Sequence, residues 1–406
     1  MPVVGHEVID PLYYERYGYP HATWTFLREH DPVARFEPPG MRPFWAITRY
    51  AEVSAISREP KRWKIAPRIA VFPDVHIDAD RPPFRHLLNM DPPEHGKYRN
   101  LLSLRFTPKT LEPKRAAIGG IVDEALARLA TRREADFVED FSATIPLAVI
   151  AEMIGLPRED WKLMFDLSNA IIASEDPDFQ HGATTRETIE GAVQTSFDYF
   201  RRMVEARRRS PRDDLASGLA TAEVMGEPIA EWELLSYFVL LMVAGNETTR
   251  NATSGGLLAL IEHRSELEKL RAAPSLIPAA VEEIVRWVSP VIQFCRTAEE
   301  DVEVAGTTIR AGEAACLFYP SANRDERVFP DPFAFRVDRE PNEHLAFGIG
   351  VHFCLGANLA RLELQEIFRR LVPRLDDVEL AGPVERMRSS FVGGIKRMPI
   401  RYRLRG

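Results

Sequence analysis

The sequence predicts a mainly α protein with a small β portion, folded as one domain over residues 1–406, and three observations predict it. After residue 91 apolar side chains recur at three- and four-residue spacing through most of the chain, the signature of amphipathic helices. Strand character is confined to short stretches near the start, at 301–319 and in the tail. No internal repeat or low-complexity tract divides the chain. At 406 residues, 45% hydrophobic and 28% charged, the composition is globular and allows a core deep enough to enclose a cofactor.

The first ~90 residues, rich in proline and aromatics (Pro11, Tyr13, Tyr14, Tyr17, Tyr19, Pro20, Trp24), read as short helices mixed with a few strands such as Phe44-Trp45-Ala46-Ile47. Segment 68–87, with Pro73 and Pro82-Pro83, reads as a long loop of the kind that is commonly functional. Asp91 is placed to cap a helix whose first turn carries Pro92 and Pro93. Helices follow at 118–129 and 141–154, a solvated polar loop at 207–214, a long helix at 231–264 and another at 278–288. Strands occupy 301–319, an irregular proline-punctuated segment 321–342, and a helix 355–375 precedes a strand-rich tail.

Several classes are excluded. The net charge of −8 and pI near 5.8 provide no basic field for nucleic acid. The longest apolar run, 234–245, is about a dozen residues where a span needs roughly 20, so no membrane anchor is expected. Residues 1–7 lack a basic region followed by an apolar one, so no secretory signal is expected. Three scattered cysteines (Cys295, Cys316, Cys354) make no disulfide framework and suit a reducing cytoplasm.

The chemistry concentrates at 346–356, Ala-Phe-Gly-Ile-Gly-Val-His-Phe-Cys-Leu-Gly. Gly348, Gly350 and Gly356 let the backbone turn tightly and approach a flat ligand. Cys354 lies just before a helix start, where backbone N–H groups favour a thiolate and hence metal binding. A lone cysteine is more often an inert core residue, but that reading leaves the surrounding glycines and His352 unexplained. The string Phe347-Gly348-Ile349-Gly350-Val351-His352-Phe353-Cys354-Leu355-Gly356 resembles the haem-binding loop of the cytochrome P-450 superfamily, and the resemblance extends over nearly the whole chain.

That resemblance implies a single-domain cytochrome P-450 fold, with haem b between a long central helix and the loop and helix that carry Cys354 as the iron ligand. In Val243-Ala244-Gly245-Asn246-Glu247-Thr248-Thr249, polar groups interrupt an apolar helix. The residues alone read equally as a kink site or as a bent groove able to pass protons inward. The segment is similar to the family's oxygen-activation motif, which implies that Glu247 and Thr248 deliver protons during O2 activation, with Ala244 against the haem.

Glu283 and Arg286, spaced i,i+3, would by default be a surface ion pair. They look like the family's Glu-x-x-Arg pair, with Arg339 as third member, bracing the segment that presents Cys354. Haem brings two propionates, and buried carboxylates need donors. His95, Arg99, Arg296 and His352 occupy positions resembling the family's propionate contacts, with Phe347, Gly348 and Gly356 beside them. A substrate pocket is implied from the 68–87 loop, Val243, Ala244, Ile292, Phe294, Phe391 and Val392. Its apolar lining and the strings around Asn246, Cys295 and Gly393 look like bacterial members acting on sterol side chains, branched lipids or terpenoids.

The resemblance therefore implies a monooxygenase that hydroxylates a hydrophobic small molecule with O2, in the cytoplasm. Nothing follows Gly406 and no flavin or iron–sulfur motif appears, so electrons are expected from a separate ferredoxin and its reductase. Lys97, Arg99, Arg105, Lys109, Lys114 and Arg115 offer a local basic docking face, or else ordinary solvated helix charges. A peroxide-driven haem-thiolate oxidase and a non-enzymatic haem sensor are the alternatives. Neither needs the Glu247–Thr248 pair.

Overall fold

The computed structural model describes residues 6–72 and 85–405, and helix dominates it. Its axis is one uninterrupted helix, Glu231–Glu262, of 32 residues and therefore roughly 48 Å long. Glu231 and Glu233 in the first turn complement its dipole. Apolar side chains point out on nearly every face, so the helix is stable only when enclosed. Helices Thr144–Ile154, Trp161–Ile172, Thr185–Arg209, Ile277–Val288 and Ala357–Arg374 enclose it. The last two approach closely at Gly256, where an added Cβ would lie 2.8 Å from both Ile284 and Phe368.

The β portion lies to one side. Among the described residues the largest sheet runs in the order Val33–Phe36, Phe44–Ile47, Ala314–Phe318, Gln293–Ala298, Trp63–Lys64. Its pairings are antiparallel except where Ala314–Phe318 lies parallel to Phe44–Ile47. Gln293–Ala298 alternates: Phe294 and Arg296 face the helices, while Cys295 lies opposite Cys316 and packs with Trp24, Ala46 and Phe318. A second sheet joins Leu375–Leu380, Pro399–Leu404 and Glu134–Asp136.

Several sequence expectations need adjusting. The polar stretch after residue 207 is partly helical, since the helix Thr185–Arg209 runs into it before Leu215–Ala220 begins. The helix expected at 141–154 starts with a π turn at Val138–Ser142 and continues as Thr144–Ile154. Asp91 does not cap the helix Glu94–Ser103 with its side chain; its carboxylate accepts the N–H groups of Ile65 (2.8 Å) and Ala66 (3.1 Å) instead. Nor is the central helix broken at its polar segment. Thr248 Oγ1 donates back to the Ala244 carbonyl at 3.1 Å, and the helical run continues through it. Of the expected loop 68–87, residues 73–84 lie outside the described residues.

Candidate haem and substrate site

Cys354 is presented by a tight loop. Its N–H donates to the Phe347 carbonyl at 2.9 Å, and Gly348 N–H to Leu345 at 2.8 Å. Gly350 takes φ 77°, and a Cβ there would sit 2.2 Å from the Ser57 carbonyl oxygen, so only glycine fits. Helix Ala357–Arg374 begins two residues beyond Leu355, capped at Gly356. The sulfur's accessible face is turned into a cavity while protein encloses the rest. Enclosure pushes the thiol pKa up, opposed by the Gly356 N–H and by the charges of Arg99 and Arg361. The helix-start stabilisation that the sequence suggests is therefore present but outweighed, and a bound cation is what such a sulfur needs to stay a thiolate.

The cavity holds about 250 Å³ between the central helix and the cysteine loop. Two clefts of about 670 Å³ elsewhere are open and edged by charges already in ion pairs, such as Arg115–Glu366 and Arg207–Asp214. Phe347, Gly348, Gly356, Ala244, His95, Arg99, Arg296 and His352 all line the apolar cavity with Cys354. The imidazoles of His95 and His352 lie 4.3 Å apart, and burial drives their pKa values down to about 4 and about 2. Arg296 is 4% exposed and donates to its neighbour's carbonyl, Cys295 O, at 2.8 Å. Among the described residues neither the half-buried Arg99 nor the buried Arg296 has a carboxylate partner, whereas the buried Arg28, Arg207, Arg250, Arg286 and Arg339 each have one. Two unpaired guanidinium groups and two neutral imidazoles beside a cavity-facing sulfur fit a haem with its two propionates.

Across the cavity from Cys354 stand Ala244, Glu247 and Thr248. Glu247 is 1% exposed, and its Oε2 is ion-paired with Arg250 one turn along the same helix. Burial raises its pKa while Arg250 lowers it, and burial prevails. Arg250 in turn donates to Asn169 Oδ1 at 3.0 Å and lies over the Phe165 ring. Sequence reading assigned no role to Arg250 or Asn169. The i,i+3 spacing of Glu247 and Arg250 was a usable signal for the first; Asn169 gave none.

Glu283, Arg286 and Arg339 meet in the interior rather than at the surface. Arg286 grips both oxygens of Glu283 (2.7 and 2.8 Å), and Arg339 Nε reaches the same two at 3.1 Å. Their remaining N–H groups satisfy carbonyls of Asn323, Pro330, Asp331, Pro332 and Ala334, in the irregular run leading to the cysteine loop. Nearer the sulfur, Arg361 lies 4.5 Å from the Phe347 ring and pairs with Glu282. Burial disfavours the Glu282 carboxylate, but Arg361 and His344 overcome that and hold its pKa at about 2.

Val243, Phe294, Phe391 and Val392 line the cavity as expected; Ile292 does not. Ile292 is fully buried in the core behind the sheet, because chain direction turns Val291 to the cavity and its neighbour away. Leu87, at the end of the expected 68–87 loop, lines the cavity too, and Leu88, Ile172, Leu240 and Tyr319 add to the walls although no motif marks them. The expected basic face is thinner than the sequence suggests. Arg99 belongs to the cavity, Arg105 pairs with Asp213, and Arg115 is tied to Glu112 and Glu366.

Comparison with known proteins agrees with this architecture. The family model described as Cytochrome P450 matches residues 66–381. A methyl-branched lipid omega-hydroxylase of Mycobacterium tuberculosis is 38% identical over 390 residues, covering 93% of this chain and 89% of that protein. A steroid C26-monooxygenase of Mycolicibacterium smegmatis is 35% identical over 396 residues, covering 97% and 95%. The crystal structure of CYP108D1 from Novosphingobium aromaticivorans superposes with a TM-score of 0.91 at 34% identity, covering 99% of this chain and 98% of that one.

Proposed function

The chain belongs to the cytochrome P450 family, and from that premise we propose that this monooxygenase hydroxylates a steroid, terpenoid or branched lipid, with electrons from a ferredoxin and its reductase in the cytoplasm. When bound, haem b would supply the iron at which dioxygen is activated. Cys354 Sγ is the ligand atom. Arg99 and Arg296 neutralise the propionates, with His95 and His352 as hydrogen-bonding partners. Glu247 and Thr248 move protons to the oxygen side: the carboxyl hands one inward through the hydroxyl and takes another from solvent. Leu87, Leu240, Val243, Phe294, Phe391 and Val392 exclude water and hold an apolar substrate by burial. Phe391 and Val392 line the same cavity and so limit which part of the substrate reaches the reactive centre.

One observation carries the reading: a cysteine sulfur faces an apolar cavity across from a helix bearing a buried acid and a hydroxyl. The substrate class rests on that apolar lining and on what the two curated relatives are named for. No helix of the described residues is long and apolar enough to cross a membrane, and the three cysteines are unpaired, which fits a reducing compartment.

The test has two arms. Reduced protein with carbon monoxide is expected to show a strongly red-shifted Soret band that Cys354→Ala abolishes; a band surviving in that variant would remove Cys354 as ligand. Ferric protein titrated with a steroid, a terpenoid and a branched fatty acid is expected to shift from low to high spin with at least one. No shift with any of them would sink the substrate class and leave the haem assignment intact.

A further inference from the structure

Cys295 and Cys316 lie directly opposite one another on antiparallel neighbouring strands of the largest sheet. Cys295 N–H donates to the Ile69 carbonyl at 2.7 Å, and the Cys295 carbonyl accepts from Arg296 Nη1 at 2.8 Å, so neither backbone group is spent on Cys316. Opposed residues without ladder bonds between them are the close kind, with Cα atoms about 4.5 Å apart. A disulfide spans Cα separations of about 4.4–6.8 Å, so this register accommodates one with the strands where they are. The two thiols are already in hydrogen-bond contact. Burial disfavours the Cys295 thiolate, but Cys316 and the charges of Arg68 and Arg296 outweigh that and lower its pKa. Burial and the neighbouring Cys295 hold the Cys316 thiol well above its ordinary value. One sulfur is thus disposed to attack, and the other to stay a thiol until needed.

We propose that Cys295 and Cys316 are a redox pair that closes to a reversible cross-strand disulfide when hydrogen peroxide oxidises it. Fully buried cysteines are ordinarily inert packing. These two differ in that each is the other's cross-strand partner and that they are unlike in acidity. Cys295 Sγ attacks one peroxide oxygen: the S–O bond forms as O–O breaks, and the leaving hydroxide takes the Cys295 proton to become water. Cys316 Sγ then attacks the Cys295 sulfur: the S–S bond forms as S–O breaks, and the departing hydroxide takes the Cys316 proton. Two electrons pass from the sulfurs to one peroxide, giving a disulfide and two waters. Closure removes the Cys316 S–H from Gln293 Oε1, which it reaches at 2.8 Å. That oxygen still accepts the Val71 N–H at 3.0 Å, so no buried acceptor is left empty. Phe294 and Arg296, on either side of Cys295, line the cavity, so the disulfide fixes the strand forming that wall to its neighbour. Peroxide is scarcely larger than water and so reaches sulfurs that are sealed from bulkier reagents.

The experiment treats ferric holoenzyme with excess hydrogen peroxide at a dose that leaves the haem spectrum unchanged, removes the oxidant with catalase, and counts thiols in denaturant. The count should fall from three to one, the intact mass should drop by two hydrogens, and digestion should yield Cys295 linked to Cys316. Dithiothreitol should restore all three thiols. The oxidised protein should melt about 2–5 °C higher, because the bond closes the 295–316 loop in the unfolded chain. Cys316→Ala should show neither the link nor the rise in Tm. Three thiols surviving the treatment, oxygen added at either sulfur in place of the link, or a disulfide to Cys354 would overturn the proposal. The linked peptides are identified directly, so the result is independent of what Cys354 binds.

Discussion

Glu175 lies just beyond helix Trp161–Ile172, and burial pushes its carboxyl pKa up to about 7, against the pull of Arg388. An acid whose folded pKa exceeds its unfolded value, here 4.5, favours the folded state most when protonated. That contribution is complete below about pH 4.5, declines as pH rises and is gone above about 7. Glu175→Gln should therefore flatten the pH dependence of thermal stability across that window and make the holoenzyme more stable than the parent at pH 8. Melting curves that stay parallel would refute this. Legibility at this scale follows chemistry that is local in sequence. Cys354 was readable because its glycines and histidine are neighbours in the chain, and the Glu247–Arg250 pair was readable in principle. Asn169 was not, since its partner is 81 positions away and an asparagine on a helix has many ordinary uses.

The helices were mostly visible as periodic runs, because a 3.6-residue repeat records its buried face in sequence. The order of strands was not, because Phe44–Ile47 and Ala314–Phe318 are neighbours only after the helical body has brought them together. The irregular run between residues 323 and 345 shows how an element without a repeat is held. It is organised by Glu283, Arg286 and Arg339, one carboxylate shared by two guanidinium groups. A buried anion that balances two cations is costly to neutralise. Glu283→Gln should destabilise the protein by about 3–5 kcal/mol and hasten haem loss, since the run leads into the loop that presents Cys354. Denaturant unfolding and haem transfer to apomyoglobin measure the two effects, and a variant matching the parent in both would contradict the bracing role. A surface pair at the same spacing would shift stability by less than about 1 kcal/mol, so the magnitude separates the two readings.

For the molecule as a whole, the net charge of −8 says little about where a partner docks, because charges are spent locally. Arg105 and Arg115 are engaged with acids, leaving Lys97, Lys109 and Lys114 as the exposed cations of the six considered that make neither an ion pair nor a cavity wall with described residues. The motif and its family resemblance made the cavity's place and chemistry readable, whereas part of its apolar wall comes from residues such as Leu88, Ile172 and Leu240 that only packing brings together. The cysteines, finally, divide by environment. Cys295 and Cys316 are sealed behind the sheet at 0% exposure, and Cys354 opens onto the cavity. A small alkylating reagent applied to the native protein thus meets a single reactive sulfur, and only in chains where haem does not hold it. Labelling stoichiometry becomes a cofactor assay: labels per native chain should equal the haem-free fraction, rising to three after denaturation. More than one label on the native chain would mean that the sheet opens to solvent.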